Sequence, residues 1–201
     1  FGGGSEAFAM HAKGMELGGY DPRGVMGMAL CYACGPRGGC HHAGGRTVPV
    51  EAESGKMDRF ASTGKAAVVR ENRDWRAVLD SAVLCTFNRL QPDLLGDLLS
   101  ALTGRDWNPA ALREAGERIS NLERLFNVRE GIRRRDDILP RRLLEEPLSA
   151  GPSAGHVVSL EGMLDEFYAE CGWDRQTGIP TREKIRALKL DGLVEEPAGP
   201  A

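Results

Sequence analysis

Two short stretches concentrate the residues able to do chemistry. In CGPRGGCHHAG, Cys34 to Gly44, a proline, four glycines, an arginine, two cysteines and two histidines fall within eleven residues. Half of them punctuate the backbone, and the others bind protons, metals or phosphates, a mixture that a purely structural turn does not need. The second stretch is DSAVLC, Asp80 to Cys85, an acid and a thiol on one short segment. Cys31 and Cys34 have the spacing of a metal-ligand pair, and Cys40, His41 and His42 follow closely enough to suit zinc. The same two cysteines sit in an apolar helical pattern, where they are equally small buried residues. Asp80 and Cys85 likewise admit either a cofactor role or a place on a core helix with one solvated acid.

Composition narrows the class. A chain of 201 residues with 41% hydrophobic content can bury a core, as one domain or two small ones. The net charge of -3 is too small to draw nucleic acid or acidic lipid, and the arginines of GIRRRDD and LPRRLLEEP are balanced by nearby acids. No apolar run reaches the length of a membrane span, so no membrane partner is expected. The start FGGGSEAF lacks both a methionine and a signal-peptide pattern, and reads as a truncated chain. Five cysteines, an odd number without a disulfide-framework spacing, favour a reducing cytoplasm.

The elements that must position these residues are mostly helices. Asp21 and Pro22 predict a helix start that runs through RGVMGMALCYA and stops at Gly35 and Pro36, placing the glycine-rich loop after a helix end. Residues 46–64 are irregular, and a helix covers part of KAAVVRENRDWRAVLDSAVLCTF, whose β-branched pairs leave strand open in places. Gln91 and Pro92 open a helix with Leu94, Leu95, Leu98, Leu99 and Leu102 on one face, closed by Gly104. Asn108 and Pro109 open the next, with Leu112, Ala115, Ile119, Leu122 and Phe126 as its core stripe. Ser159 caps a helix burying Leu160, Met163, Leu164, Phe167, Tyr168 and Cys171, and Thr181 caps a last short one ending near Gly192. There is no internal repeat.

Five blocks carry a resemblance: KGMELGGYDPRG, CGPRGGCHHAG, DSAVLCTF, ERISNLERLFNVREGIRRRDDILPRRL and GMLDEFYAECGWDRQTGIPT. In this order they closely resemble the C-terminal helical part of the tungsten-dependent aldehyde ferredoxin oxidoreductases, over nearly the whole chain. The resemblance implies a mainly α, irregular helical domain over residues 21–201, with residues 1–20 as the end of a preceding domain or a linker. It also implies a larger enzyme, in which a β-rich N-terminal domain forms the base for a tungsten bis-pterin of the molybdopterin type. Helical domains then enclose that cofactor, with a 4Fe-4S cluster beside one pterin. Three cluster cysteines belong to an upstream C-x-x-C-x-x-x-C group that this chain lacks.

The fourth cluster ligand resembles Cys85, at the end of the family pattern D-x-x-G-L-C. Val83 stands where that pattern has glycine, and a glycine often marks close backbone approach to a ligand. By the same resemblance Asp80 accepts hydrogen bonds from pterin N–H groups, and Leu84 and Thr86 line the cofactor beside it. Arg37 contacts a pterin phosphate, Gly38 and Gly39 let the chain pass close to the cofactor, and His41 faces the metal and moves protons. His42 and Ala43 stand where a second basic residue is usual. Cys31 and Cys34 replace small non-thiol residues, and are read as buried and not as cluster ligands.

The activity implied is oxidation of aldehydes to carboxylic acids with ferredoxin as acceptor, the chain alone being inactive. Its partners are then ferredoxin and the missing N-terminal part, and a homo-oligomer is compatible with the pattern. Other readings remain open: molybdenum in place of tungsten, a relative with another substrate such as a ring-reducing subunit, an independent zinc module, and a cofactor-free helical interaction protein.

Overall fold

The computed structural model describes residues 2–193, so Phe1 and residues 194–201 of the expected helical domain lie outside the described residues. A short hairpin, β1 (His11–Ala12) and β2 (Met15–Glu16), precedes seven α-helices among these residues. They are α1 (Gly27–Ala33), α2 (Ala66–Ser81), α3 (Pro92–Thr103), α4 (Pro109–Arg129), α5 (Arg141–Glu145), α6 (Leu160–Cys171) and α7 (Arg182–Ala187). The mainly α fold expected from the sequence is the fold observed.

Helix α2 is the hub, packing against α4, α6 and α1, while α3 leans on α4. Gly116 permits the closest approach of α2 and α4: a Cβ there would stand 2.4 Å from the carbonyl oxygen of Asp74. The main core gathers α1 and α6 with Leu139, Leu143 and Trp173. A second cluster joins Val78 and Leu79 of α2 to Leu95 and Leu112, and a third sits around Leu125 and Ile185.

Helix α1 is buried along its whole length, which is why GMALCYA is apolar all round. It starts at Gly27, later than Asp21 and Pro22 predict. Asp21 spends its carboxylate on a local turn, accepting from the Arg23 N–H at 2.9 Å and pairing with its guanidinium at 2.7 Å. The cap comes instead from across the fold. Buried Glu51, in the π-helical turn Pro49–Glu53, accepts from the Gly27 N–H at 3.0 Å and pairs with Lys65 at 2.7 Å.

Two leucine-rich stripes are displaced from their predicted positions. In α3 only the side bearing Leu95, Gly96 and Leu99 turns toward α4, leaving Leu94, Leu98 and Leu102 exposed. In α4 the buried face runs through Leu112, Gly116, Ser120, Asn121, Arg124 and Leu125, while Phe126 is exposed. Three of those residues are polar, and hydropathy therefore misplaces the face. Two of the three find buried partners: Asn121 Oδ1 accepts from Trp173 Nε1 at 2.9 Å, and Arg124 pairs with buried Asp137 at 2.8 Å. Lys13, at the tip of the hairpin, also reaches Asp137 at 2.7 Å, and the Tyr168 hydroxyl donates to the same carboxylate. The hairpin within residues 1–20 is thus tied to the core. Helix α6 buries its six predicted residues, and Thr181 caps α7 by accepting from the Lys184 N–H, although α7 ends at Ala187.

Candidate functional site

The glycine-rich loop leaves the end of α1 and is held on two sides. Asn127 of α4 donates from Nδ2 to the Pro36 carbonyl at 2.6 Å. Gly38 and Gly39 lie against the hairpin, where an added Cβ would come within 2.0 Å of the Ala12 oxygen and 2.4 Å of the Glu16 oxygen. Packing of the loop on its own fold therefore already demands glycine at both places.

Within the loop, Arg37 is exposed and donates from Nη2 to Cys40 Sγ at 2.9 Å. Burial works to raise the Cys40 thiol, but the N–H groups of Ala43 and His42 and the Arg37 guanidinium outweigh it, so the thiol is held below its ordinary value. Cys31 and Cys34 are buried, as expected for small core residues, and burial pushes both thiols up. Among the described residues no three or more His, Cys, Asp or Glu side chains converge to hold a metal ion.

His41 meets the Tyr20 ring edge-on at 5.3 Å and the His42 ring at 4.2 Å. His42 Nδ1 lies 2.6 Å from Arg76 Nη2, and Arg76 Nη1 lies 3.7 Å from Asp80 Oδ1, one helical turn along α2. The two polar stretches of the sequence are thereby linked, through an arginine that the sequence reading did not single out. Both imidazoles are held below their ordinary value: burial is the largest cause, and the positive charges of Arg46 and Arg76 add to it.

Asp80, next to last in α2, is exposed, and the chain then turns sharply. The Leu84 N–H bonds to the Leu79 carbonyl at 2.9 Å and the Val83 N–H to the Asp80 carbonyl at 3.1 Å, the paired bonds of a Schellman helix stop. The residue that must be left-handed in that motif is Val83, at φ 56°. Leu84 packs into the cluster that holds Leu79, completing the motif. The glycine of the family pattern thus falls where helix termination requires positive φ. Beyond the turn Cys85 is extended and exposed, Thr86 opens a 3₁₀ turn, and Val83 and Phe87 are 89% and 84% exposed.

A groove of about 740 Å³ brings Arg37 and Asp80 together against α4, whose Glu123, Phe126 and Arg129 form its other side. Leu84, Cys85, Thr86 and His41 are not among its lining residues. The α4 contributors were missed because they fall within a helix read only for its apolar stripe. The available signal was the charge placed between the apolar positions of NLERLFNVRE. Chemically, the groove offers two guanidiniums, of Arg37 and Arg129, for an anion and two carboxyls for N–H or O–H groups, with an exposed thiol a few residues away.

A family model described as "Aldehyde ferredoxin oxidoreductase, domains 2 & 3" matches residues 1–190. The chain is 41% identical over 192 residues to a tungsten-containing aldehyde ferredoxin oxidoreductase of Pyrococcus furiosus, covering 93% of this chain and 32% of that protein. The corresponding Pyrococcus horikoshii protein is 42% identical over 189 residues, covering 92% and 31% respectively. The chain therefore spans about a third of the length of the curated relatives it matches. Among solved structures, the BamBC active-site complex of benzoyl coenzyme A reductase, in complex with 1,5-dienoyl-CoA, shares the fold. Its TM-score is 0.56 at 21% identity, covering 71% of this chain and 23% of that one.

Proposed function

The chain belongs to the aldehyde ferredoxin oxidoreductase family, and we propose that it forms one wall of the cofactor site of a larger tungsten or molybdenum pterin oxidoreductase. That enzyme oxidises aldehydes to carboxylic acids, hands electrons to ferredoxin and works in the cytoplasm, consistent with five free cysteines among the described residues and no helix there long and apolar enough to cross a membrane. Convergence of Arg37 and Asp80 on one groove, with the exposed Cys85 thiol beyond it, is the observation that carries the reading.

The residues fit the groups the family implies. Cys85 stands outside the protein's own core, free to join thiolates from another segment as the fourth ligand of a 4Fe-4S cluster. Asp80 accepts from pterin N–H groups, with Leu84 and Thr86 beside it, and Arg37 exchanges the Cys40 sulfur for a pterin phosphate. Gly38 and Gly39, by packing the loop closely on the hairpin, help fix the position of Arg37 toward the ligand. When bound, the metal and its pterins supply two-electron oxidation and the cluster supplies one-electron transfer. His41, kept neutral near pH 7 by burial and nearby cations, takes up the proton released as water adds to the aldehyde. The fold is shared with a complex whose ligand is a coenzyme A thioester, so the fold alone does not select the substrate.

The test is metal analysis of the full-length gene product purified anaerobically, alongside its Cys85→Ala variant. Tungsten or molybdenum with about four irons per chain, and loss of the cluster signal in Cys85→Ala, are expected. Zinc alone, or an intact cluster in the variant, overturns the reading.

A further inference from the structure

Glu123 is a groove acid that no motif assigns. It projects from α4 into the groove, half-buried, and among the described residues no side chain or backbone group donates a hydrogen bond to its carboxyl. Asp80, across the groove, is exposed and ion-paired with Arg76. Two carboxyls of unequal surroundings therefore line one groove, the arrangement that lets one accept hydrogen bonds while the other holds a proton.

The groups facing Glu123 come from two elements besides its own. Arg73, Asp74 and Asp80 belong to α2, and Arg37 to the loop. Burial is the largest influence and raises its carboxyl, with Asp80 and Asp74 adding to the rise and Arg73 and Arg37 opposing it. Arg73 is the strongest of the opposing charges: it is itself buried, and its Nη2 donates to the Ser120 carbonyl at 2.8 Å while its Nε and Nη1 have no hydrogen-bond partner among the described residues.

We propose that Glu123 is a second ring-reading carboxyl of this groove, donating its O–H to the carbonyl of a 2-amino-4-oxo-pyrimidine edge while Asp80 accepts from that edge's N–H groups. The inference rests on the cofactor reading above and deepens it. A pterin edge presents one carbonyl acceptor beside two N–H donors. An ionised carboxylate alone answers only the donors, and a neutral acid beside it completes the set. The phosphate-bearing tail is left to Arg37.

The test uses the 201-residue chain and unsubstituted pterin, whose fluorescence reports binding and which carries no phosphate. Affinity is measured upward from about pH 4, near the ordinary carboxyl value, to about pH 7, below ring deprotonation. Wild-type affinity should fall as pH rises. Glu123→Gln, which keeps a donor and an acceptor, should bind within about threefold of the low-pH wild type and lose the pH dependence. Glu123→Ala should bind about tenfold more weakly at low pH, the cost of one hydrogen bond to a buried group. Circular dichroism checks that each variant is folded. If Glu123→Ala binds with wild-type affinity and pH profile while Asp80→Ala loses binding, the inference fails and the cofactor reading stands. If the wild-type chain does not bind pterin at any pH in this range, the inference is overturned, and the cofactor reading is decided separately by the metal analysis of the full-length gene product.

Discussion

Val83 should be the most easily improved residue in the chain. It holds φ 56° at the left-handed position of the Schellman stop that ends α2. A residue with a Cβ pays about 1–2 kcal/mol there relative to glycine, and a β-branched side chain fits that region worst of all. Packing returns nothing, because Val83 is 89% exposed. Against the relief, glycine gains unfolded-state freedom worth about 0.5–1 kcal/mol. The difference leaves Val83→Gly more stable by roughly 0.5–1 kcal/mol, a rise in Tm of about 1–4 °C for a chain of this size. Urea unfolding followed by circular dichroism gives the free energy, and a thermal scan gives Tm. Val83→Ala, which keeps a Cβ but loses the branch, should gain less than glycine. A glycine variant at or below wild-type stability would refute the account of the turn. So would an alanine variant more stable than the glycine one, since relief would then not come from backbone handedness.

Three further outcomes follow from the site and core. Asp137→Ala strands buried Arg124 and Lys13, and should cost about 3–5 kcal/mol by equilibrium unfolding. Burial works to raise the Asp137 carboxyl, but Arg124 and Lys13 outweigh it and hold it below the usual range. Its contribution is therefore complete above the unfolded value of about 3.9 and lost as pH falls, so the gap between wild type and variant should shrink below about pH 4. At neutral pH iodoacetamide should label Cys40 before Cys31, Cys34 and Cys171, whose thiols burial pushes up, that of Cys171 to about 12. Arg37→Gln should slow Cys40 labelling at the same pH, and unchanged labelling would deny Arg37 its hold on the thiolate. In the full-length enzyme, His41→Ala should lower kcat by about 10²–10⁴ with metal content near wild type and His42→Ala should do much less. Because His41 is held below its ordinary value, wild-type rates should fall only on acidification below about pH 6.5. Loss of metal on removing His41 would make it structural.

What was legible in the sequence divides by how local its physics is. Helices with their own signals were readable: Gln91-Pro92 and Gly104 bound α3, Asn108 caps α4 through its side chain, and Thr181 caps α7. The start of α1 was not, because its cap is Glu51, twenty-four residues away and buried. The buried face of α4 was hidden for the same reason: Asn121 and Arg124 look solvated until Trp173 and Asp137 are placed beside them. At the candidate site, the loop and the DSAVLC stretch each announced themselves by composition, but what joins them is Arg76, unremarkable on the outer turn of a helix. Glu123 illustrates the limit most clearly. An acid within NLERLFNVRE carries only the weak signal of a charge set between apolar positions, a pattern that a solvated helix residue shares. Only the packing of α4 against α2 and the loop turns it toward Asp80 and Arg37 and withdraws it in part from water. A groove acid of this kind is a property of the crossing angle of two helices, and Gly116, which sets how closely α4 lies on α2, is as much a determinant of the site as the charged residues that line it.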